Sequence, residues 1–229
     1  MTNFNLMILA AGYGKRMKNL TKFKPKPLLK INNKELLRNN IDFFLSLGCK
    51  KIVINTHYLN EQIDNFIQNF YADKNIQLTY EPTLLNTGGG IKNALSLLED
   101  KNFLVTNSDI FWNEENISDV KNLLKFINQS EDYCLLLSDY KKSTGIERSN
   151  GDFVIDNNYV RRWKKNDPII FYSGLQILNP IIFDKVDSNK FSINLIWDEL
   201  ILKKKLKGKI MQSRLLHIGD IKTFNKIVT

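Results

Sequence analysis

Between residues 5 and 139 short apolar runs alternate with amphipathic stretches, and no other feature of the chain constrains its fold as strongly. The runs are NLMILA (5–10), KIVINT (51–56), IQLTYE (76–81), NFLVTNSD (102–109) and YCLLLSD (133–139). Between them lie KELLRNNIDFFLSL (34–47), LNEQIDNFIQNF (59–70), GIKNALSLL (90–98) and a stretch over about 117–128. In the first of these, Leu37, Ile41, Phe44 and Leu45 share one helical face and Gly48 supplies a stop. In the second, Ile63, Phe66, Ile67 and Phe70 fall on one side. Strands alternating with helices at this spacing predict a mainly parallel sheet covered on both faces. Unbroken runs such as FLV and CLLL agree, because central parallel strands are buried on both sides. Beyond residue 140 the pattern loosens. Short strands are expected near 152–156 and 169–178, with helices at about 193–206 and 220–228. The fold class is therefore α/β, a Rossmann-like three-layer α/β/α with a mixed, mainly parallel sheet, in one domain over 1–229.

The chain has 229 residues, 43% of them hydrophobic and 25% charged, which excludes a mainly disordered chain, a collagen and a coiled-coil rod. Two cysteines, Cys49 and Cys134, cannot form a structural zinc site, and both sit in apolar surroundings that suit buried reduced thiols. The N-terminal apolar run LMILAA is short for the core of a signal peptide and no run is long enough to span a membrane. A cytoplasmic chain without a membrane partner is expected.

Net charge is +9 and unevenly placed. Residues 1–34 hold Lys15, Arg16, Lys18, Lys22, Lys24, Lys26, Lys30 and Lys34 with no acid. A second cluster, Lys203, Lys204, Lys205, Lys207 and Lys209, reads as a solvated face. Excess positive charge attracts phosphates, on a nucleotide or a nucleic acid. In the first cluster glycines and prolines interleave with the charges, which points to a built site. Open parallel sheets bind ligands at the carboxyl ends of their strands. The loop AAGYGKRMKNLTKFKPKPLL (10–29) leaves the first strand there. Gly12 and Gly14 admit close backbone approach, Lys15, Arg16 and Lys26 add charged donors, and Pro25 and Pro27 stiffen the chain around Lys26. GxxxxGK[ST] is absent, so this is no P-loop. Gly12-Tyr13-Gly14 opens a dinucleotide fingerprint, but Met17 stands at its third glycine and strand two ends in Asn55-Thr56-His57, without an acid. Both departures argue against hydride transfer. His57 reads as a hydrogen-bonded structural residue. Thr87-Gly88-Gly89-Gly90 offers bare backbone before a helix, either a site for a flat base or merely a flexible start to the helix. Asn107-Ser108-Asp109 closes a buried strand with a carboxylate, suited to Mg²⁺ beside substrate phosphates or to a plain turn cap.

Taken together, LAAGYGKRMKNLTKFKPKPLL (9–29), INTHYLNEQI (54–63), LNTGGGIKNAL (85–95), NGDF (150–153), YSGLQILNPIIF (172–183) and FSINLIWDEL (191–200) resemble the sugar-1-phosphate nucleotidylyltransferases. They are most similar to the short bacterial branch of N-acetylmuramate 1-phosphate uridylyltransferases and mannose- or heptose-1-phosphate guanylyltransferases. The resemblance implies a nucleoside triphosphate and a sugar 1-phosphate as partners and Mg²⁺ as cofactor; no nucleic acid is expected, because the chain lacks exposed-aromatic RNA motifs and a phosphate-binding loop accounts for the first basic cluster. The resemblance also implies that Ala11, Gly12, Gly14, Lys15 and Arg16 wrap the triphosphate, that Lys26 bridges the reacting phosphates, and that Gly88 and Gly89 abut the base. By the same matching Asp109 holds Mg²⁺, while Asn107, Asp152, Ser173, Gly174, Trp197 and Asp198 line the sugar side. Arg16, Lys26 and Asp109 are the expected catalytic set. UTP with N-acetylmuramate 1-phosphate is the first choice of substrates and guanylyl transfer to mannose or heptose 1-phosphate the rival. A catalytically weak nucleotide-binding module is the alternative without chemistry, motivated by His217-Ile218-Gly219-Asp220, where the family pattern is Asp-x-Gly-Thr. Imidazole is a poor Mg²⁺ ligand.

Overall fold

The structure, a computed structural model, describes residues 3–99, 101–127 and 133–228. Its strands in chain order are β1 (Phe4–Leu9), β2 (Lys30–Ile31), β3 (Lys34–Glu35), β4 (Cys49–Thr56), β5 (Ile76–Tyr80), β6 (Phe103–Asn107), β7 (Tyr133–Asp139), β8 (Ser143–Thr144), β9 (Phe153–Asp156), β10 (Tyr159–Arg162), β11 (Ile170–Leu178), β12 (Leu206–Ile210) and β13 (Leu215–Leu216). The helices are α1 (Leu36–Ser46), α2 (Asn60–Tyr71), α3 (Asn86–Leu98), α4 (Ile117–Leu124), α5 (Asn194–Leu202) and α6 (Ile221–Val228).

Nine strands form one sheet in the order β5-β4-β1-β6-β11-β7-β12-β10-β9. β5, β4, β1 and β6 are mutually parallel, and β7 and β12 pair parallel further across. β11 runs antiparallel between β6 and β7, and β10 and β9 close the far edge antiparallel. The register sets Leu9 beside Asn55 of β4 and Asn107 of β6, so the loops after these strands leave one edge side by side.

Alternation along each strand divides the core into two layers. Leu6, Ile8, Ile52, Ile54 and Leu104 face one side, with Leu37, Ile41 and Phe44 of α1 and Ile63, Phe66 and Ile67 of α2. Met7, Val53, Phe103 and Val105 face the other, with Ile91, Ala94 and Leu98 of α3 and Ile196, Trp197 and Leu200 of α5. The three-layer arrangement expected from the alternation is thus present. One helix face differs from expectation. Phe70 is exposed beneath the Arg38 guanidinium, 4.5 Å from its ring centre, and Tyr71 takes the inward position with its hydroxyl donating to Asp42 (2.6 Å). A phenol suits this place because its ring is buried while its oxygen finds a partner.

A third, smaller core joins Met17, Leu29, Ile31 and Leu36 to Ile218, with Phe224 and Ile227 of α6 packed against it. It lies under the 15–31 loop. Burying Met17 and Ile31 contributes roughly 1.5–3 kcal/mol each, so the basic loop rests on a packed support. The two cysteines are free and buried, and burial pushes the Cys49 thiol up to about 12.

Differences concentrate after residue 140. The helix expected over 193–206 ends at Leu202, and the basic run continues as strand β12, where Lys207 and Lys209 lie over the Phe126 ring. β10 and β12 carry too many charges to read as strands from composition. The helix expected to 128 is described to Leu124 as α4, and residue 128 lies outside the described residues.

Candidate active site

The loop after β1 is anchored at its start by a chain of buried hydrogen bonds. The Ala10 N–H donates to Asn55 Oδ1 (2.8 Å), Asn55 Nδ2 donates to Glu81 Oε1 (2.7 Å), and the Leu85 N–H donates to Glu81 Oε2 (3.0 Å). Glu81 is almost inaccessible to solvent. Sequence reasoning missed it; the only hint was a lone acid closing an apolar run. His57 joins the same lock. Its Nδ1 faces the Glu81 carbonyl at 2.7 Å, so that nitrogen must be the donor, and Nε2 accepts from the Tyr13 hydroxyl at 3.0 Å. The structural reading of His57 fits this arrangement.

Gly14 is left-handed (φ 65°), and its carbonyl accepts the Met17 N–H (2.8 Å) and the Thr21 hydroxyl (3.1 Å), which turns the chain back. A Cβ on Gly12 would meet nothing within 4 Å, because this glycine borders open space. Pro25 and Pro27 flank a short turn in which the Leu28 N–H donates to the Pro25 carbonyl (2.9 Å) and the Leu29 N–H to Lys26 (3.0 Å). That turn aims the mostly buried Lys26 at Asp109, just past β6, with Nζ 2.6 Å from Oδ2. His217 Nε2 stands 3.2 Å from the same oxygen, and its Nδ1 faces the Gly145 carbonyl at 3.3 Å. Burial alone would raise the Asp109 carboxyl. The Lys26 ammonium, and after it His217, outweigh that and hold it well below the usual carboxylate range.

Gly12, Gly14, Lys15, Arg16, Lys26 and Asp109 line one cavity of about 280 Å³. A second, of about 250 Å³, is lined by Ala11, Asn55, Glu81, Asn86 and Thr87 among others. A third, of about 560 Å³, has Arg16, Arg148, Asp152, Arg162, Tyr172 and Trp197 in its wall. Asn107 lines all three. A further cavity of about 540 Å³ lies at the amino ends of β1 and β4, between Phe4, Lys51 and Glu99, and none of the expected site residues lines it.

The nucleotidyl transferase family model matches residues 5–151, more than half of the chain. The chain belongs to the nucleotidyl transferase family. It is 28% identical over 221 residues to N-acetylmuramate alpha-1-phosphate uridylyltransferase of Caulobacter vibrioides, covering 93% of this chain and 91% of that one. It is 27% identical over 218 residues to D-glycero-alpha-D-manno-heptose 1-phosphate guanylyltransferase of Aneurinibacillus thermoaerophilus, covering 93% and 92%. The fold matches HddC from Yersinia pseudotuberculosis complexed with GMP-PN at TM-score 0.78 and 24% identity, over 98% of both chains. The protein is therefore an enzyme of the sugar-1-phosphate nucleotidyltransferases.

In this nucleotidyl transferase several residues singled out from the sequence stand elsewhere than expected. Gly88 and Gly89 lie inside α3, which starts at Asn86, and both N–H groups donate to the Phe191 carbonyl (3.0 and 3.1 Å). A Cβ on Gly88 would sit 2.4 Å from the Phe191 ring, and one on Gly89 2.2 Å from the Asn189 carbonyl oxygen. These glycines admit the 189–191 segment, while Asn86 and Thr87 line the 250 Å³ cavity. Ser173 and Gly174 form the irregularity where β11 shifts register between Tyr172 and Leu175. Gly174 has φ 86°, a Cβ there would meet Ile110 at 2.6 Å, and the buried Ser173 hydroxyl has no partner among the described residues. Asp198 lies outside the cavity wall and accepts from Arg162 Nε (2.7 Å). Trp197 is both core and wall, with its indole N–H donating to Gln176 (2.8 Å). Asp152 stays in the wall, accepting from Arg148 (2.5 Å) and from the Tyr172 N–H (3.0 Å). Asp220 caps α6 through the Thr223 N–H (2.8 Å).

The donor set fits Mg²⁺. Asp109 is a single hard carboxylate at the cavity lined by Gly12, Lys15, Arg16 and Lys26, and Mg²⁺ keeps one or two carboxylates plus substrate oxygens. His217 contributes no such oxygen. Its Nε2 faces Asp109 Oδ2 and its Nδ1 the Gly145 carbonyl, so it stands beside the carboxylate rather than in its place.

Proposed function

We propose that the protein transfers a nucleoside monophosphate from UTP to N-acetylmuramate 1-phosphate, releasing pyrophosphate, in the cytoplasm, as a step of cell-wall sugar recycling. What carries this reading is the convergence of the Gly12–Arg16 loop, Lys26 and Asp109 on one cavity that meets, at Asn107, a larger one. The uridylyltransferase relative from Caulobacter supports the choice of base and sugar. The heptose 1-phosphate guanylyltransferase relative supports the rival, guanylyl transfer to heptose or mannose 1-phosphate.

An oxygen of the sugar phosphate attacks the α-phosphorus; the new P–O bond forms as the bond to the β-phosphate breaks and pyrophosphate leaves. A phosphate monoester is already largely anionic at neutral pH, its second pKa being about 6, so no general base is needed. The chain's work is positioning and neutralisation of charge. Gly12 gives the phosphates access to backbone, Lys15 and Arg16 face the leaving pyrophosphate, and Lys26, beside Asp109, bridges the phosphates at the reacting centre. Asp109 would hold Mg²⁺, which when bound neutralises phosphate charge. Glu81, Asn86 and Thr87 shape the base cavity.

The test is a panel of each nucleoside triphosphate against N-acetylmuramate, mannose, heptose and glucose 1-phosphates with Mg²⁺, read by pyrophosphate release. UTP with N-acetylmuramate 1-phosphate should give the highest kcat/KM, and Asp109→Asn should abolish it. Pyrophosphate release confined to GTP with a neutral sugar overturns the first choice, and none with any pair overturns both.

A further inference from the structure

Three arginines in sequence-neighbouring loops and strands use their guanidinium groups in two different ways. Arg161 spends both ends of its fork on Asp167, with Nη1 to Oδ2 at 2.6 Å and Nη2 to Oδ1 at 2.8 Å. That is a closed bidentate pair. Arg148 and Arg162 are left open, and both line the 560 Å³ cavity. Arg148 makes one bond, Nη2 to Asp152. Arg162 uses Nε on Asp198 and Nη2 on Asn194 Oδ1 (2.8 Å) and the Asn194 carbonyl (3.5 Å). Neither Nη1 has a partner among the described residues.

Each open guanidinium also lies over aromatic rings. The Arg148 carbon is 4.8 Å from the Phe171 ring centre; that of Arg162 is 4.7 Å from Phe153 and 5.8 Å from Trp197. Stacking fixes the plane of a guanidinium and leaves its N–H edge available. The acids of the same wall have other partners too. Glu147 is paired with Lys222 and Lys226, Asp220 caps α6, and Asp152 accepts from the Tyr172 N–H. The wall therefore keeps unspent cationic donors, well away in sequence from the phosphate loop.

A neutral sugar ring needs hydroxyl partners, which Asn and Asp side chains supply. Two arginines lying over aromatic rings, each with its Nη1 still unpartnered among the described residues, match a carboxylate, whose two oxygens can accept one charged N–H from each. We propose that Arg148 and Arg162 form a subsite for a carboxylate carried on the sugar ring, and so set the enzyme's preference for an acidic sugar 1-phosphate. This rests on the reading of the protein as a transferase to N-acetylmuramate 1-phosphate, whose lactyl ether is such a group.

The experiment compares kcat/KM for N-acetylmuramate 1-phosphate and for N-acetylglucosamine 1-phosphate, which lacks the lactyl carboxylate, in the wild type, Arg148→Met, Arg162→Met and Arg162→Lys. The acid-over-neutral ratio should fall roughly tenfold to a hundredfold in each Met variant, the scale of losing one hydrogen bond to a charged group. Arg162→Lys should recover part of it, because charge returns without the fork. Circular dichroism melts identify a variant that fails to fold, and Arg161→Met, which lies outside the cavity, should keep the wild-type ratio. A wild type that prefers the acidic sugar while both Met variants keep the full ratio overturns the subsite and leaves the transferase reading standing. A wild type that rejects the acidic sugar yet uses a neutral one overturns the subsite together with that choice of substrate.

Discussion

Replacing Lys26 by Met tests the centre of the site. At 2.6 Å the Lys26–Asp109 attraction is about 6 kcal/mol gross at an effective dielectric constant of about 20. Desolvation of two mostly buried ions takes back several kcal/mol. A net coupling of about 2 kcal/mol follows, within the range measured for interacting neighbours. The single variant should lose more, about 3 kcal/mol, because Asp109 keeps only His217 against burial. Urea unfolding of wild type, Lys26→Met, Asp109→Asn and the double variant gives the cycle. The pH dependence has a definite sign. Asp109 is depressed in the folded state, so its stabilisation is complete above about pH 5 and is lost as pH falls through the unfolded value of about 4 toward the folded one. In Lys26→Met the carboxyl rises and protonates earlier. The stability gap between wild type and variant should therefore be full at pH 7 and narrow below pH 4. A gap unchanged between pH 7 and pH 3, or a coupling near zero, would show that these side chains are not joined. In pyrophosphate release the same variant should lower kcat by roughly 10²–10³, the scale for losing one preorganised donor.

Three further outcomes follow from the geometry. Gly12→Ala places its methyl in open space, so its melting temperature should stay near the wild type while triphosphate binding by calorimetry weakens at least tenfold; unchanged affinity would remove Gly12 from the phosphate path. Gly88→Ala should behave oppositely, destabilising by about 1–3 kcal/mol through the clash with Phe191, with triphosphate affinity kept in whatever protein remains folded. Glu81→Ala strips the acceptors of Asn55 and the Leu85 N–H, and should cost about 2–4 kcal/mol in urea unfolding and raise the KM for triphosphate more than that for sugar phosphate.

How much of this was legible in the sequence depended on what each residue's neighbours are. The first half of the fold reads directly, because β1, β4 and β6 are apolar runs and α1 and α2 repeat their apolar residues at helical spacing. The basic loop reads for a related reason: its glycines, prolines and lysines adjoin one another in the chain, so the local pattern already holds most of what lines the cavity. The second half is different in kind. β10 and β12, with sequences YVRR and LKGKI, pair at the far side of the sheet, where strand formation is decided by partners distant in sequence and charges reach solvent. The three glycines of α3 announce that no side chain is tolerated, yet only the fold tells that the excluding neighbours are Phe191, Asn189 and, for Gly90, Glu81 with Asn55. Arg148 and Arg162 carry the least signal of all, since in a chain with 33 basic residues an arginine beside an acid looks like any solvated pair. Arg161 is the counterexample within the same strand: equally basic, equally paired, yet closed on Asp167. What separates a specificity arginine from a structural one is therefore the number of its N–H groups left over after folding, a quantity fixed by tertiary contacts and invisible to composition.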